Sequence, residues 1–353
     1  MAAKTKTVCC LPIASQQNPY QVLMMEGLKK DGRLTVHYGA RGKYLAVLRT
    51  WLRYRPDVMH FDWVERYFRF RLLPLGWLTA VIFLGEVMIV RYLLGCRIVW
   101  TMHEFLVHDS LHPQLEQWVQ QRFARMCDWI RVFAPSTVKR TAAYLNIDPD
   151  IFRVLMMGSY IDCYPNTVSA AEARAALSIP SDTFVLLCLG VMRPYKGIDL
   201  LVQAFRQQPQ AHWRLLIVGP PRVPQFVEAV KQLAQGDERI AIIDRFVAES
   251  DLQLYLNACD VVALPFRQIE NSSSAMLGMS FARPVLAPTL GNLPELLAHQ
   301  PALLYPPGHL DQALQTLAQI SPDALRQMGQ LNFQVAQGFR WEDFAALFFE
   351  DNR

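Results

Sequence analysis

The fold is decided by residues 184–199, Phe184-Val185-Leu186-Leu187-Cys188-Leu189-Gly190-Val191-Met192-Arg193-Pro194-Tyr195-Lys196-Gly197-Ile198-Asp199. The apolar run Phe184–Leu189, closed by Gly190, reads as a strand buried on both faces. A tight loop carrying Arg193 and Lys196 follows, and from Ile198 to residue 207 apolar residues return at three- and four-residue spacing, the period of a helix covering a sheet. Downstream, 214–218, Ile240–Ile243, 261–264 and 285–287 are further short apolar runs, separated by helical patterns at Pro224–Ala234, 251–257 and 273–281. This alternation predicts a doubly wound α/β domain with Gly190, Gly219 and Pro265 just past strand ends, where such folds bind ligands.

The same alternation, less regular, runs upstream, with strands expected at 7–11, Leu34–Tyr38, Val58–Phe61, Arg97–Thr101 and 130–134. A chain of 353 residues exceeds one ordinary core, so two domains are expected. The turn-rich stretch Asp162-Cys163-Tyr164-Pro165-Asn166-Thr167-Val168-Ser169 marks the linker. It gives an N-terminal, acceptor-side Rossmann-like domain over 1–163, a C-terminal nucleotide-sugar-binding one over 164–335, and a C-terminal helix, 336–353, that packs back on the first domain.

An apolar fraction of 52% with 19% charged residues excludes a disordered chain, and the net charge of +4 does not by itself imply nucleic acid. Seven cysteines without a CxxC pair, mostly in apolar runs, read as reduced buried thiols. The opening residues lack the sustained apolar core of a secretory signal, so a cytoplasmic location is expected. Residues 72–90 are nearly continuously apolar and long enough to cross a bilayer. Pro74, Gly76 and Glu86 interrupt them, which favours a buried or surface-embedded helix. Upstream, Arg41, Lys43, Arg49, Arg53, Arg55, Arg66, Arg69 and Arg71 interleave with aromatic residues. Two readings stand: a surface resting on anionic headgroups at the inner face of the cytoplasmic membrane, or solvated helix faces over core aromatics. No RNA-binding signature accompanies the stretch, so no nucleic-acid partner is expected.

Arg193 and Lys196, three apart on a loop held by Gly190 and Gly197, present a planar fork and a point charge suited to a diphosphate. Fixed cations aimed at a departing nucleotide stabilise its charge without a metal; the plainer reading is a basic loop. The strand at 261–264 leads through Glu270 into Ser272, Ser273 and Ser274 at a helix start, which suits a phosphate or only an N-cap cluster. Glu270 is placed to accept hydrogen bonds from sugar hydroxyls. In the first half, Trp100-Thr101-Met102-His103 runs from a strand into a loop that also holds His108. Asn18 and Tyr20 offer a polar contact after the first strand, although Asn18 before Pro19 is equally a helix cap. His60 and Asp62 end a strand facing the expected cleft and are candidates for acceptor contacts.

Together the Arg193-to-Gly197 loop, Phe246-Val247-Ala248-Glu249-Ser250-Asp251-Leu252, Ala258-Cys259-Asp260-Val261-Val262-Ala263-Leu264-Pro265 and Ala282-Arg283-Pro284-Val285-Leu286-Ala287 resemble the C-terminal domain of family 4 glycosyltransferases, over about half the chain. The resemblance implies an α/β GT-B fold, two Rossmann-like doubly wound domains facing across a cleft. It also implies transfer of a hexose from a UDP- or GDP-sugar to a lipid-linked or polysaccharide acceptor, with no metal and no cofactor. Carried over, Arg193 and Lys196 hold the donor diphosphate with Gly190 beneath them, and Phe246 and Val247 lie against the base. Glu270 is the first acid of the family's paired-glutamate motif, and Gly278 stands where the second would be. That departure leaves donor and stereochemistry open. The serine-rich variant is similar to bacterial polysaccharide-assembling members, in which a histidine at the position of His103 lies by the reacting sugar, orienting it or acting as a base if the enzyme inverts. Two other classes remain: a sugar-nucleotide epimerase of the same architecture, and a catalytically silent nucleotide-binding subunit.

Overall fold

A computed structural model describes residues 5–13, 19–105 and 110–350; Asn18 and His108 lie outside them. The chain divides into two compact units, the first running to Gly158 and resuming at Phe339, the second spanning Ser159–Gly338. In the first, six strands, β1 (Lys6–Leu11), β2 (Leu34–Tyr38), β3 (Val58–Phe61), β4 (Arg97–Thr101), β5 (Trp129–Val132) and β6 (Phe152–Val154), form a sheet of order β2-β1-β3-β4-β5-β6. All five pairings are parallel. In the second, β7 (Phe184–Leu189), β8 (Trp213–Val218), β9 (Ile240–Ile243), β10 (Val261–Ala263), β11 (Val285–Pro288) and β12 (Leu304–Tyr305) are ordered β12-β11-β10-β7-β8-β9, again all parallel.

Each order reverses direction once. The chain leaves β1 for β2 on one side and returns to β3 on the other; it leaves β7 for β8 and β9, then returns to β10. At such a switch point the loops after two neighbouring strands diverge and open a crevice beyond their carboxyl ends. In the second unit those loops carry residues 190–197 and 264–272; in the first they include Asp62 and Trp63. Strands buried on both faces call for covering helices, as in β7, where Val185, Leu186 and Leu187 are fully buried.

The stretch read as returning to the first domain from residue 336 does so from Phe339. Residues 336 and 337 instead finish the helix Pro322–Gln337 of the second unit. The return segment is a run of 3₁₀ turns, Trp341–Phe348, rather than an α-helix. Its Phe344 and Phe348 rings pack edge-on to Trp129 at 6.1 and 5.5 Å. Lys6 Nζ donates to the Phe348 carbonyl at 2.9 Å, and Arg153 pairs with Glu350 at 3.2 Å.

The apolar stretch forms the helix Leu73–Met88, continued by a π-turn at Ile89–Leu93. Among the described residues it is the one helix long and apolar enough to cross a membrane, with mean hydropathy 2.0. One side packs in the core through Ala80, Phe83, Val87 and Val90, while Leu78, Val81, Met88 and Leu93 are more than half exposed on the other. Glu86, which interrupts the stretch, is buried, and its Oε2 accepts from Val47 N at 2.9 Å and Leu48 N at 3.0 Å. These amides open the helix Ala46–Tyr54, whose own N-cap, Leu45, supplies no side-chain acceptor. Glu86 therefore caps that helix from a distance, matching charge to its positive end.

Glu86→Leu, which keeps the apolar face and removes the acceptor, should cost about 1–3 kcal/mol by stranding two buried donors. It would be read as a lowered urea midpoint, with Glu86→Gln losing less.

Candidate active site

In the second unit the site is assembled around Lys196. Gly190 leaves β7 with φ +127°, and a Cβ there would stand 2.6 Å from the Lys196 ammonium. Only a glycine lets the side chain fold back over the strand end. Gly197, φ +66°, turns the loop into the helix Ile198–Arg206; a Cβ there would lie 1.9 Å from the Pro265 carbonyl oxygen, so the two switch-point loops touch backbone to side-chain-free backbone. Arg267 ties them further: its guanidinium grips the Asp199 carboxylate through two bonds of 2.6 Å and donates to the Pro194 carbonyl at 2.9 Å. Tyr195 and Phe266 stack at 6.3 Å.

Lys196 is 8% exposed. Its Nζ lies 3.4 Å from Ser274 Oγ and 5.7 Å from the Phe266 ring centre. Among the described residues no carboxylate is within ion-pair distance of it. Burial pushes its pKa down, and the neighbouring Arg193 guanidinium adds to that while the Cys188 thiol opposes it. Ser274 lies in the first turn of the helix Ser273–Ser280, so an ammonium and a helix N-terminus, both electropositive, converge on one spot. An anion placed there satisfies both.

The serines divide by role. Ser272 is buried and caps the helix, accepting from Ala275 N at 3.1 Å. Ser273 hydrogen-bonds Tyr160, and Ser274 faces Lys196. Glu270 is half-buried, its carbonyl held by Asn292 N at 2.9 Å. Phe246, three residues past β9, is 59% exposed and offers an aromatic face, with Val247 half-buried beside it. Gly278 packs on the sheet: a Cβ would come within 3.3 Å of the Val262 and Val285 methyls. A carboxylate at this position would be pressed against valines.

In the first unit the convergence is on Asp62, the residue after β3. His103, two residues past β4, meets its Oδ1 through Nε2 at 3.0 Å, and Gln21 Nε2 donates to its Oδ2 at 3.3 Å. The His103 ring stacks on Trp63 at 4.6 Å and 16° and stands edge-on to Tyr20 at 4.9 Å. Burial works to raise the Asp62 carboxyl, but His60 and the bonds from His103 and Gln21 outweigh it and leave the group below the ordinary carboxylate value. Two acceptor-side candidates prove to be core residues. His60 is fully buried with Nε2 2.8 Å from Thr101 Oγ1. Tyr20 is 4% exposed and its hydroxyl accepts from Arg131 Nη1 at 3.4 Å. Sequence reasoning missed Gln21, Trp63 and Arg131. The last is a fully buried cation in β5 held by the carbonyls of Leu155 and Met156 and by the Phe344 ring.

Two units of parallel, doubly wound sheet with switch-point sites define the GT-B class, and solved structures agree. Sucrose-phosphate synthase from Thermosynechococcus elongatus has a TM-score of 0.76 over 97% of both chains at 19% identity. Anabaena HepE, in complex with UDP and glucose, has 0.71 over 97% of this chain and 98% of that one at 16%. Residues 183–323 match the family model of glycosyl transferases group 1, so the second unit is a domain of that family on a chain of GT-B fold. A GDP-mannose:glycolipid 4-beta-D-mannosyltransferase of Xanthomonas campestris pv. campestris is 30% identical over 244 residues, 68% of this chain and 64% of that one. A D-inositol 3-phosphate glycosyltransferase of Corynebacterium efficiens is 28% identical over 247 residues, 66% and 58%. The chain thus spans less than two thirds of the length of these curated relatives.

Burial of His60 has a consequence for stability. It pushes the imidazole down from 6.5 to about 4. Below pH 6.5 the unfolded chain binds a proton that the folded one refuses, so this contribution is complete above pH 6.5 and is lost as pH falls toward 4. Between pH 7 and 5 the loss should be about 2 kcal/mol. Urea midpoints at the two pH values measure it, and His60→Gln should flatten the slope.

Proposed function

We propose that the chain is a metal-independent hexosyltransferase that takes its sugar from a UDP- or GDP-linked donor and delivers it to a lipid-linked or polysaccharide acceptor. The observation that carries this is the buried Lys196 ammonium, without a carboxylate, at the mouth of a helix beyond β7 and β10. A buried cation lacking a counter-charge is costly, and a diphosphate supplies the missing anion. Arg193 shares that anion, Glu270 takes the sugar hydroxyls, and the exposed Phe246 stacks on the base with Val247 beside it. As the sugar–phosphate bond breaks, charge grows on the departing diphosphate, where the ammonium already points. GDP-mannose and glycolipid, in the printed name of the Xanthomonas relative, support this donor class and acceptor class.

The acceptor reading extends to a membrane. The first unit exposes Leu72, Leu78, Val81, Met88, Tyr92 and Leu93 along one helix side, with Leu52 on the helix that packs beside it. Arg41, Lys43, Arg49, Arg53 and Arg55 are exposed on that neighbouring helix and the loop leading to it. Apolar and basic groups in one unit match an anionic bilayer, whose headgroups meet the guanidinium groups while the apolar side chains enter the acyl boundary. The working place is then the inner face of the cytoplasmic membrane.

Lys196→Ala should lower kcat by about 10²–10³-fold without lowering the unfolding midpoint. Undiminished turnover in that variant sinks the proposal. Nucleotide binding by the wild type without transfer to any acceptor would favour the silent-subunit reading instead. Vesicles of phosphatidylglycerol should sediment the wild type and release it after Leu78→Glu with Val81→Glu; no sedimentation of the wild type removes the membrane part alone.

A further inference from the structure

We propose that the cleft between the helices Ile198–Arg206 and Leu310–Leu317 binds a neutral saccharide, at a site distinct from the one built on Lys196. The proposal goes beyond the transfer reading and does not rest on it, since the binding is measured without turnover.

The cleft has a volume of about 330 Å³ and lies wholly within the second unit, beyond the carboxyl ends of β10, β11 and β12. Ligand clefts run from roughly 300 to 1,000 Å³, so this one suits a ring-sized molecule. Phe266 and Tyr305 line it and are 5% and 6% exposed. Lys196 does not line it, but the two sites share a wall, since the Phe266 ring centre is 5.7 Å from Lys196 Nζ.

Charge decides which ligands the cleft admits. Arg267 is the one cation among its described lining residues, and its guanidinium is already engaged by the Asp199 carboxylate and the Pro194 carbonyl. Asp311, the one acid, stands exposed in the first turn of the helix Leu310–Leu317, where the helix dipole favours it. No cation pairs with it among the described residues. An incoming phosphate would meet an unpaired carboxylate and no free cation, the reverse of the surroundings of Lys196. A single carboxylate is also too little to hold a metal ion. Neutral ligands remain.

The polar groups at the cleft are those that read hydroxyls. Gln203 and Gln207, four residues apart, are both exposed, and neither amide has a hydrogen-bond partner among the described residues. Each amide offers two donors and an acceptor oxygen, and the Asp311 carboxylate accepts. Tyr305 adds a phenol. Burial pushes its pKa up, so it keeps its proton, and among the described residues its hydroxyl bonds nothing. A hydroxyl on so buried a residue is rarely without a partner, and a sugar hydroxyl supplies one. An apolar ligand would instead seal that group from water and replace nothing. The apolar surface of Phe266 and Pro288 suits the C–H faces of a pyranose, while the amides and Asp311 meet its hydroxyls. A free sugar and one ring of a longer glycan present this same chemistry.

The test is saturation-transfer NMR on the full chain, with glucose, mannose and cellotetraose as the probes. Binding of these sugars is expected; tighter binding of cellotetraose than of glucose assigns a glycan chain, and equal binding assigns a single ring. The double variant Gln203→Ala with Gln207→Ala, at exposed positions where alanine suits the helix, should weaken binding about tenfold. Glu270→Gln, at the proposed donor-sugar contact, should leave it unchanged. No transfer to any of the three probes overturns the proposal, as does wild-type affinity in the folded double variant. Loss in Glu270→Gln alone assigns the bound sugar to the Lys196 site and overturns it as well. A chain that binds saccharide here yet transfers none keeps this site and loses the transfer reading.

Discussion

The constraint on which the second unit depends is the burial of one ammonium group that has no counter-ion among the described residues. Lys196 is folded back over the end of β7 into a space that exists because Gly190 has no side chain, and it faces a helix N-terminus through Ser274. The arrangement is costly in the unliganded protein despite the Ser274 and Phe266 contacts: two electropositive features are brought together and partly dehydrated. The surrounding structure holds them there. The bidentate Arg267–Asp199 fork, the Tyr195–Phe266 stack and the close approach of Gly197 to Pro265 bind the two loops that diverge from the switch point into one rigid frame. A site prepared in this way spends little reorganisation when an anion arrives, which is what electrostatic stabilisation of a leaving group requires.

The first unit uses the opposite charge in the same topological place. There the buried group is a carboxylate, Asp62, and the surrounding donors satisfy it internally. The contrast is chemical. A buried ammonium beside a helix N-terminus suits an incoming anion, whereas a buried carboxylate already bonded by its neighbours fixes their orientation. Parallel sheets permit both because their strands are largely apolar and open their loops beyond the carboxyl ends.

Much of the strand order of events was legible, since β-branched and leucine-rich runs bounded by Gly, Pro and turn residues leave little choice; Phe184–Leu189, Leu34–Tyr38 and Val58–Phe61 have the bounds the periodicity gives. The pairings that make the sites were not legible. Arg131 meets Tyr20 across 111 positions and Arg267 meets Asp199 across 68, and no local pattern announces a contact of that span. His60 and Asp62 illustrate the difficulty at closest range. Two residues apart on a strand end, they looked equivalent, yet His60 turns into the core toward Thr101 while Asp62 turns toward His103. The return segment differs in another way: Trp341–Phe348 has an amphipathic pattern but runs as 3₁₀ turns, with Phe344 and Phe348 both against Trp129.

Gly278 shows how a missing motif residue is read from packing. The helix Ser273–Ser280 lies directly on β10 and β11, and at position 278 its distance from the sheet leaves room for a glycine against Val262 and Val285. A larger side chain there needs those valine methyls to give by a few tenths of an ångström, on the same helix whose first turn holds Ser274, the hydroxyl facing Lys196. A helix seated this closely presents glycine rather than charge to the sheet at that position, while the aromatic face of Phe246 stays exposed past β9.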